Sequence, residues 1–208
     1  MAALLCNLLP YPPVGAVRPK SAERKAGTLA LLREPKLRAM YTVALLASST
    51  WSIVIFLIPL YGTQIGLGAS TIGIIIGGFS LATVFIRVVL PWLSRHFTSW
   101  QMLIGSLIAS GLAMALIPAV TGVVALTLLA AWVGMGLGLT GPISQALLHD
   151  LAPAERIGEL LGLRVTLLNA SHAGMPILSG AVGAAIGVAP VFWVVAACLF
   201  AGGWTTRG

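Results

Sequence analysis

The chain is organised by where charge is missing. No Asp, Glu, Lys or Arg occurs in 39–86, 97–148 or 165–206. One membrane crossing needs about 20 apolar residues, so each of these blocks is long enough to cross a bilayer and return. Each also carries a turn signal near its middle, of the Gly- and Pro-rich kind that punctuates helices. The first has Tyr61-Gly62-Thr63-Gln64 followed by Gly66, Gly68 and Ser70, the second has 118–122 and the third has 187–190. The pattern predicts six membrane-spanning helices at 40–60, 71–91, 101–119, 123–148, 160–186 and 189–204, paired into three hairpins, the last of them short for a span.

Composition supports lipid as the solvent. Of 208 residues, 58% are hydrophobic and 8% charged, whereas a soluble domain carries about 25% charged residues. The basic residues also set the orientation. Arg18, Lys20, Arg24, Lys25, Arg33, Lys36 and Arg38 lie in the N-terminal tail, Arg87 and Arg95 flank the first connection between hairpins, Arg156 and Arg164 flank the second, and Arg207 follows the last helix. The hairpin tips carry none. Positive segments stay in the cytoplasm, so the tips face outward and both termini are cytoplasmic. A net charge of +7 fits attraction to anionic headgroups better than a nucleic-acid partner, and none is expected.

The chain divides into a basic tail or linker over 1–38 and a six-helix domain over 39–208. Within the tail, 1–9 is apolar but too short to span, and it lacks the basic start and small-residue cleavage site of a signal peptide. Residues 28–38 fit a short surface helix interrupted at Pro35. Cys6 and Cys198 are too far apart in context to form a motif or a disulfide. Asn169-Ala170-Ser171 matches a glycosylation acceptor but falls inside a helix. Nothing calls for a metal or another cofactor.

Small residues mark packing faces. Gly73 and Gly77, and Gly134 and Gly138, are each four apart, a spacing that lets helix backbones approach closely. The run Gly134, Gly136, Gly138 and Gly141 before Pro142 is denser than packing usually needs and also suits a helix that bends.

Polar residues inside a membrane are candidates for function by default. Asn169 and His172 are three apart on the fifth helix, with His172 near the midplane. They make either a hydrogen-bonded packing pair or a proton-responsive site, since imidazole changes charge near neutral pH. Arg87 and Arg164 sit close to the cytoplasmic face. They either reach the headgroups by snorkelling or form an inner gate with the neighbouring charges Arg95, Asp150, Glu155 and Glu159. No Asp or Glu lies within a predicted span.

Several segments together resemble a known family. They are Leu32-Arg33-Glu34-Pro35-Lys36-Leu37-Arg38, then Pro59-Leu60-Tyr61-Gly62, then Arg87-Val88-Val89-Leu90-Pro91-Trp92-Leu93-Ser94-Arg95. Leu148-His149-Asp150-Leu151-Ala152-Pro153, Arg156-Ile157-Gly158-Glu159, Gly162-Leu163-Arg164, Gly174-Met175-Pro176 and Gly180 complete the set. Over 29–203 the chain resembles the C-terminal half of a bacterial major facilitator superfamily transporter. Of that family's loop signature, only Arg95 is matched within 90–99. The resemblance implies an all-α half bundle of two inverted three-helix repeats in the bacterial inner membrane, carrying a small solute by alternating access. It implies that the first and fourth helices line the cavity, which nominates Ser48, Trp51, Ser52, Trp132, Ser144 and Gln145. It also implies a companion for activity, either a second copy or a separate N-terminal half.

Two other classes compete. A truncated remnant that inserts but transports nothing fits the same sequence. A six-helix intramembrane serine protease needs Ser and His at one depth on adjacent helices, but Ser70 of Gly68-Ala69-Ser70 lies in an outer turn and Gly-x-Ser-x-Gly is absent, so no catalytic residue is assigned.

Overall fold

The computed structural model describes residues 34–152 and 156–205. They form six helices: α1 (Pro35–Gln64), α2 (Ala69–Leu93), α3 (Ser99–Leu116, extended by a 3-10 turn at Ile117–Ala119), α4 (Val123–Leu151), α5 (Ile157–Ile186) and α6 (Val188–Thr205). No strand occurs among the described residues. By length and composition α1, α2, α3 with its 3-10 turn, and α4 can each cross a membrane, and α6 is a shorter apolar helix. The 30-residue α5 has ample length, but Arg164, Asn169, Ser171 and His172 interrupt its apolar run.

Element boundaries follow local chemistry. Pro35 opens α1 at its first turn, where a missing N–H has no helical partner to lose. The surface helix expected over 28–38 and broken at Pro35 is therefore corrected at its C-terminal end: 35–38 is the start of α1, and 28–33 lies outside the described residues. Thr98 caps α3 reciprocally: its hydroxyl accepts from the Gln101 N–H at 3.4 Å, and the Gln101 side chain accepts from the Thr98 N–H at 3.1 Å. The turn after α1 uses Gly66 at φ 79°, and the link between α5 and α6 is Gly187 at φ 91°. Both angles lie in the left-handed region that glycine alone enters without strain.

The helices alternate in direction. At the end holding the hairpin tips, the Tyr61 hydroxyl donates to the carbonyls of Pro118 (3.3 Å) and Val120 (3.4 Å), and its ring meets Phe192 edge-on at 5.8 Å. One side chain thus ties all three hairpins together. At the other end, the Tyr41 hydroxyl donates to Leu160 O at 2.8 Å, and Gly202 faces Leu46.

The packing has a two-fold logic. α2 packs on α4 as α5 packs on α1, α3 on α4 as α6 on α1, while α3–α6 and α1–α4 pack within their own kind. Exchanging α1–α3 for α4–α6 therefore maps each of these packed pairs onto another. This is the arrangement two inverted three-helix repeats produce.

The glycines of α4 set the closest approaches. A side chain at Gly134 would collide with Phe79 O, one at Gly138 would come within 2.8 Å of Ile86, and one at Gly136 would run into Ser110 and lie 2.9 Å from Ser106 O. Thr83 fastens the α2–α4 contact by donating to Phe79 O (2.9 Å) and Gly134 O (3.1 Å). Three of the four glycines are thus explained by contact with α2 and α3. Gly73 and Gly77 are not: a methyl group at either would meet nothing within 4 Å, so this pair is no packing face among the described residues. α2 is in fact mostly uncovered. Only 17% of its apolar window is buried, against 50–56% for α1, α3 and α4, and Ile74, Leu81, Val84, Phe85 and Val88 stand exposed.

Candidate functional site

One cleft of about 180 Å³ collects polar side chains from four helices. α1 supplies Ala44, Ala47, Ser48 and Trp51, and α4 supplies Leu137, Thr140, Gly141 and Ser144. Both sets follow the i, i+3, i+4, i+7 spacing of one helical face. α5 adds Arg164, Leu168 and His172, each four apart, and α2 adds Arg87. Ala44, Ala47 and Gly141 keep the floor of the cleft low, so that polar groups rise from it.

At its centre His172 bridges two hydroxyls of α1. Ser48 Oγ lies 3.0 Å from Nε2 and Ser52 Oγ lies 2.5 Å from Nδ1, while Ser52 also donates to Ser48 O at 3.3 Å. His172 is the sixteenth of the 30 residues of α5 (counting from Ile157), and Ser48 and Ser52 are the fourteenth and eighteenth of the 30 in α1 (counting from Pro35). The network therefore sits halfway along two long helices. A second, more open recess of about 390 Å³ continues past it, lined by Trp51, Ser52, Ile55, Phe56, His172 and Pro176. Trp51 is held by an edge-on contact with Phe79 at 4.9 Å.

The basic end of the cleft lies nearer the connections between hairpins. Arg164 Nη2 donates to Ser144 Oγ at 2.8 Å and to Gly141 O at 3.3 Å, and Ser144 in turn donates to Gly141 O at 3.0 Å. The Arg164 Nε is buried without a partner. Arg164 thus reaches across to α4 rather than along its own helix toward the headgroups.

The structure sorts the sequence-nominated residues into two groups. Ser48, Trp51, Ser52, Ser144 and His172 meet around the cleft and its extension, and Arg87 and Arg164, expected at a gate, line the same cleft. Trp132 does not. It belongs to a different recess among α2, α3 and α4, with Phe97, Met102 and Met135. Gln145 and Asn169 are exposed and line neither the cleft nor its extension, so the Asn169–His172 pairing gives way to His172 with two serines.

The anticipated gate pairs are also rearranged. Glu159 joins Arg156 at 3.0 Å rather than Arg164, Asp150 and Arg95 are exposed, and Glu155 lies outside the described residues. Thr140, Gly141, Ala44 and Ala47 are lining residues that were not nominated. Their signal was the repeated small-residue spacing on α1 and α4. Among the described residues no group of three or more His, Cys, Asp or Glu could hold a metal ion.

Residues 1–176 match the sequence model of the Major Facilitator Superfamily. No individual curated protein matches the chain at a comparable level.

Proposed function

The chain belongs to the Major Facilitator Superfamily of membrane transporters, and from that premise we propose that its six helices form one half of an alternating-access carrier for a small solute. The observation that carries this reading is the polar cleft formed by α1, α2, α4 and α5, beside an α2 face left largely uncovered. Hydroxyls, an imidazole and guanidinium groups at that depth are expensive to leave against hydrocarbon. A companion half facing the cleft would enclose them and complete a central cavity. Rocking of the two halves about that cavity would then expose it to each side in turn. The companion is a second copy or an N-terminal six-helix half. The positive-inside pattern supports a cytoplasmic tail and cytoplasmic inter-hairpin connections, in a multi-pass protein of a bacterial inner membrane.

The test is reconstitution at a dilution that gives at most one chain per vesicle. Single chains should show no uptake from a panel of radiolabelled small solutes, and uptake should appear at higher occupancy or on co-expression with an N-terminal half. Robust uptake by single chains would overturn the half-carrier reading.

A further inference from the structure

We infer that the cleft receives a small oxyanion, a carboxylate or phosphate group held between Arg87 and Arg164. This rests on the reading of the cleft as a solute site and specifies what the solute carries.

Among the described residues, charge is uncompensated there. Two guanidinium groups line the cleft, and no Asp or Glu does so among the described residues. The nearby carboxylates are otherwise placed: Glu159 is with Arg156, and Asp150 is exposed at the end of α4. Arg87 has neither an ion pair nor a hydrogen bond among the described residues. Arg164 spends only Nη2 on α4, leaving Nε buried and unpartnered. Arg164, partly withdrawn from water with no counter-charge beside it among the described residues, is disfavoured as it stands, and an anion shared with the exposed Arg87 offsets that cost.

The donors suit an oxyanion. The guanidinium fork matches carboxylate and phosphate geometry bidentately, and both guanidinium groups are on the same lining. A cationic solute would meet two like charges, and a neutral one would leave both arginines unpaired. Snorkelling does not account for Arg164, because its bonds to Ser144 and Gly141 point it into the cleft.

The experiment is thermal stability of the full chain in lipid nanodiscs, titrated at matched ionic strength with sodium phosphate, sodium succinate and sodium citrate. Glucose and tetraethylammonium chloride serve as neutral and cationic probes. Phosphate or a carboxylate should raise the Tm saturably, and the neutral and cationic probes should not. The three anions together show which oxyanion is preferred. Arg87→Gln should weaken the apparent affinity by about tenfold or more, the range for a lost charge-assisted hydrogen bond. It should leave the unliganded Tm in place, since Arg87 holds nothing else. Arg164→Lys, which keeps the charge and loses the fork, should fall between wild type and Arg164→Gln.

Stabilisation by glucose or tetraethylammonium alone, by no probe, or by anions equally in Arg87→Gln and Arg164→Gln overturns the inference. Uptake of a neutral solute without anion stabilisation overturns it while leaving the transport reading intact. Saturable anion binding without uptake in any pairing overturns the transport reading instead.

Discussion

His172 offers a network whose proton positions can be worked out. If the single proton of the Ser52 hydroxyl goes to Ser48 O, Ser52 Oγ accepts from Nδ1–H of His172. In the neutral ring Nε2 is left as the acceptor, and Ser48 donates to it. A second proton on the ring would turn Nε2 into a donor, and only the Ser48 hydroxyl would have to rotate. Both protonation states can therefore be satisfied, and what changes between them is the direction of one bond at the cleft wall. Because His172 and Ser52 belong to different helices, the pair also fastens α1 to α5. A double-mutant cycle between Ser52→Ala and His172→Ala, read by reversible unfolding in mixed micelles, should give a coupling of about 0.6–1.5 kcal/mol. Strictly additive losses would mean that the two side chains do not share a bond.

At the scale of the helix, α4 separates two jobs by rotation. Gly134, Gly136 and Gly138 turn toward α2 and α3, whereas Thr140, Gly141 and Ser144 turn toward the cleft. Pro142 lies within the cleft-facing stretch, between Gly141 and Ser144. It withholds the N–H that a helix would return to the carbonyl four residues earlier. Gly136→Ala should push α3 and α4 apart and lower stability by about 1–3 kcal/mol, whereas Gly73→Ala and Gly77→Ala, which meet open space, should change it little. Equal losses at Gly136 and Gly77 in a thermal or SDS unfolding series would contradict this division.

The six helices were legible because charge-free stretches and turn residues are absolute signals in a membrane chain. The rotational setting of each helix was not. Apolar residues surround these helices on every side, so periodicity gives little bearing on which face looks inward. Trp132 and Ser144 are twelve residues apart, which turns them about 120° from each other at about 100° per residue, and Gln145 is about 100° from Ser144. One α4 face could not have held all three. Asn169 lies only about 60° from His172, and which of the two met α1 was decided by the positions of Ser48 and Ser52, a fact of packing that the order of residues does not contain. Arg87 and Arg164 were legible as unusual, but their meeting in one cleft depends on how α2 and α5 flank α1 and α4.

For the whole molecule, the packing that joins all three tips at one end through Tyr61, taken with the positive-inside pattern, predicts how the chain lies in the bilayer. Gln64 and Thr121 are exposed at the tip end, and Ser94 is exposed in the connection between α2 and α3. In a background of Cys6→Ser and Cys198→Ser, Gln64→Cys and Thr121→Cys should react with an impermeant maleimide added to intact cells. Ser94→Cys should react only after permeabilisation. Val188 is a poor probe of the third tip because it is buried. Labelling of Ser94→Cys in intact cells would reverse the orientation.

Gly187 alone separates Ile186 of α5 from Val188 of α6, and this bears on biogenesis. A connection of several polar residues must be carried through the hydrocarbon before its far helix can settle. Here the connection is one residue without a side chain, and its left-handed backbone turns the chain back at once. α5 taken singly is a reluctant entrant, with Arg164, Asn169, Ser171 and His172 along it. Coupled this tightly to the apolar α6, it partitions as half of a two-helix wedge whose combined hydrophobicity decides the outcome. The polar helix that furnishes Arg164 and His172 is thus delivered to the bilayer by the neighbour that follows it out of the ribosome.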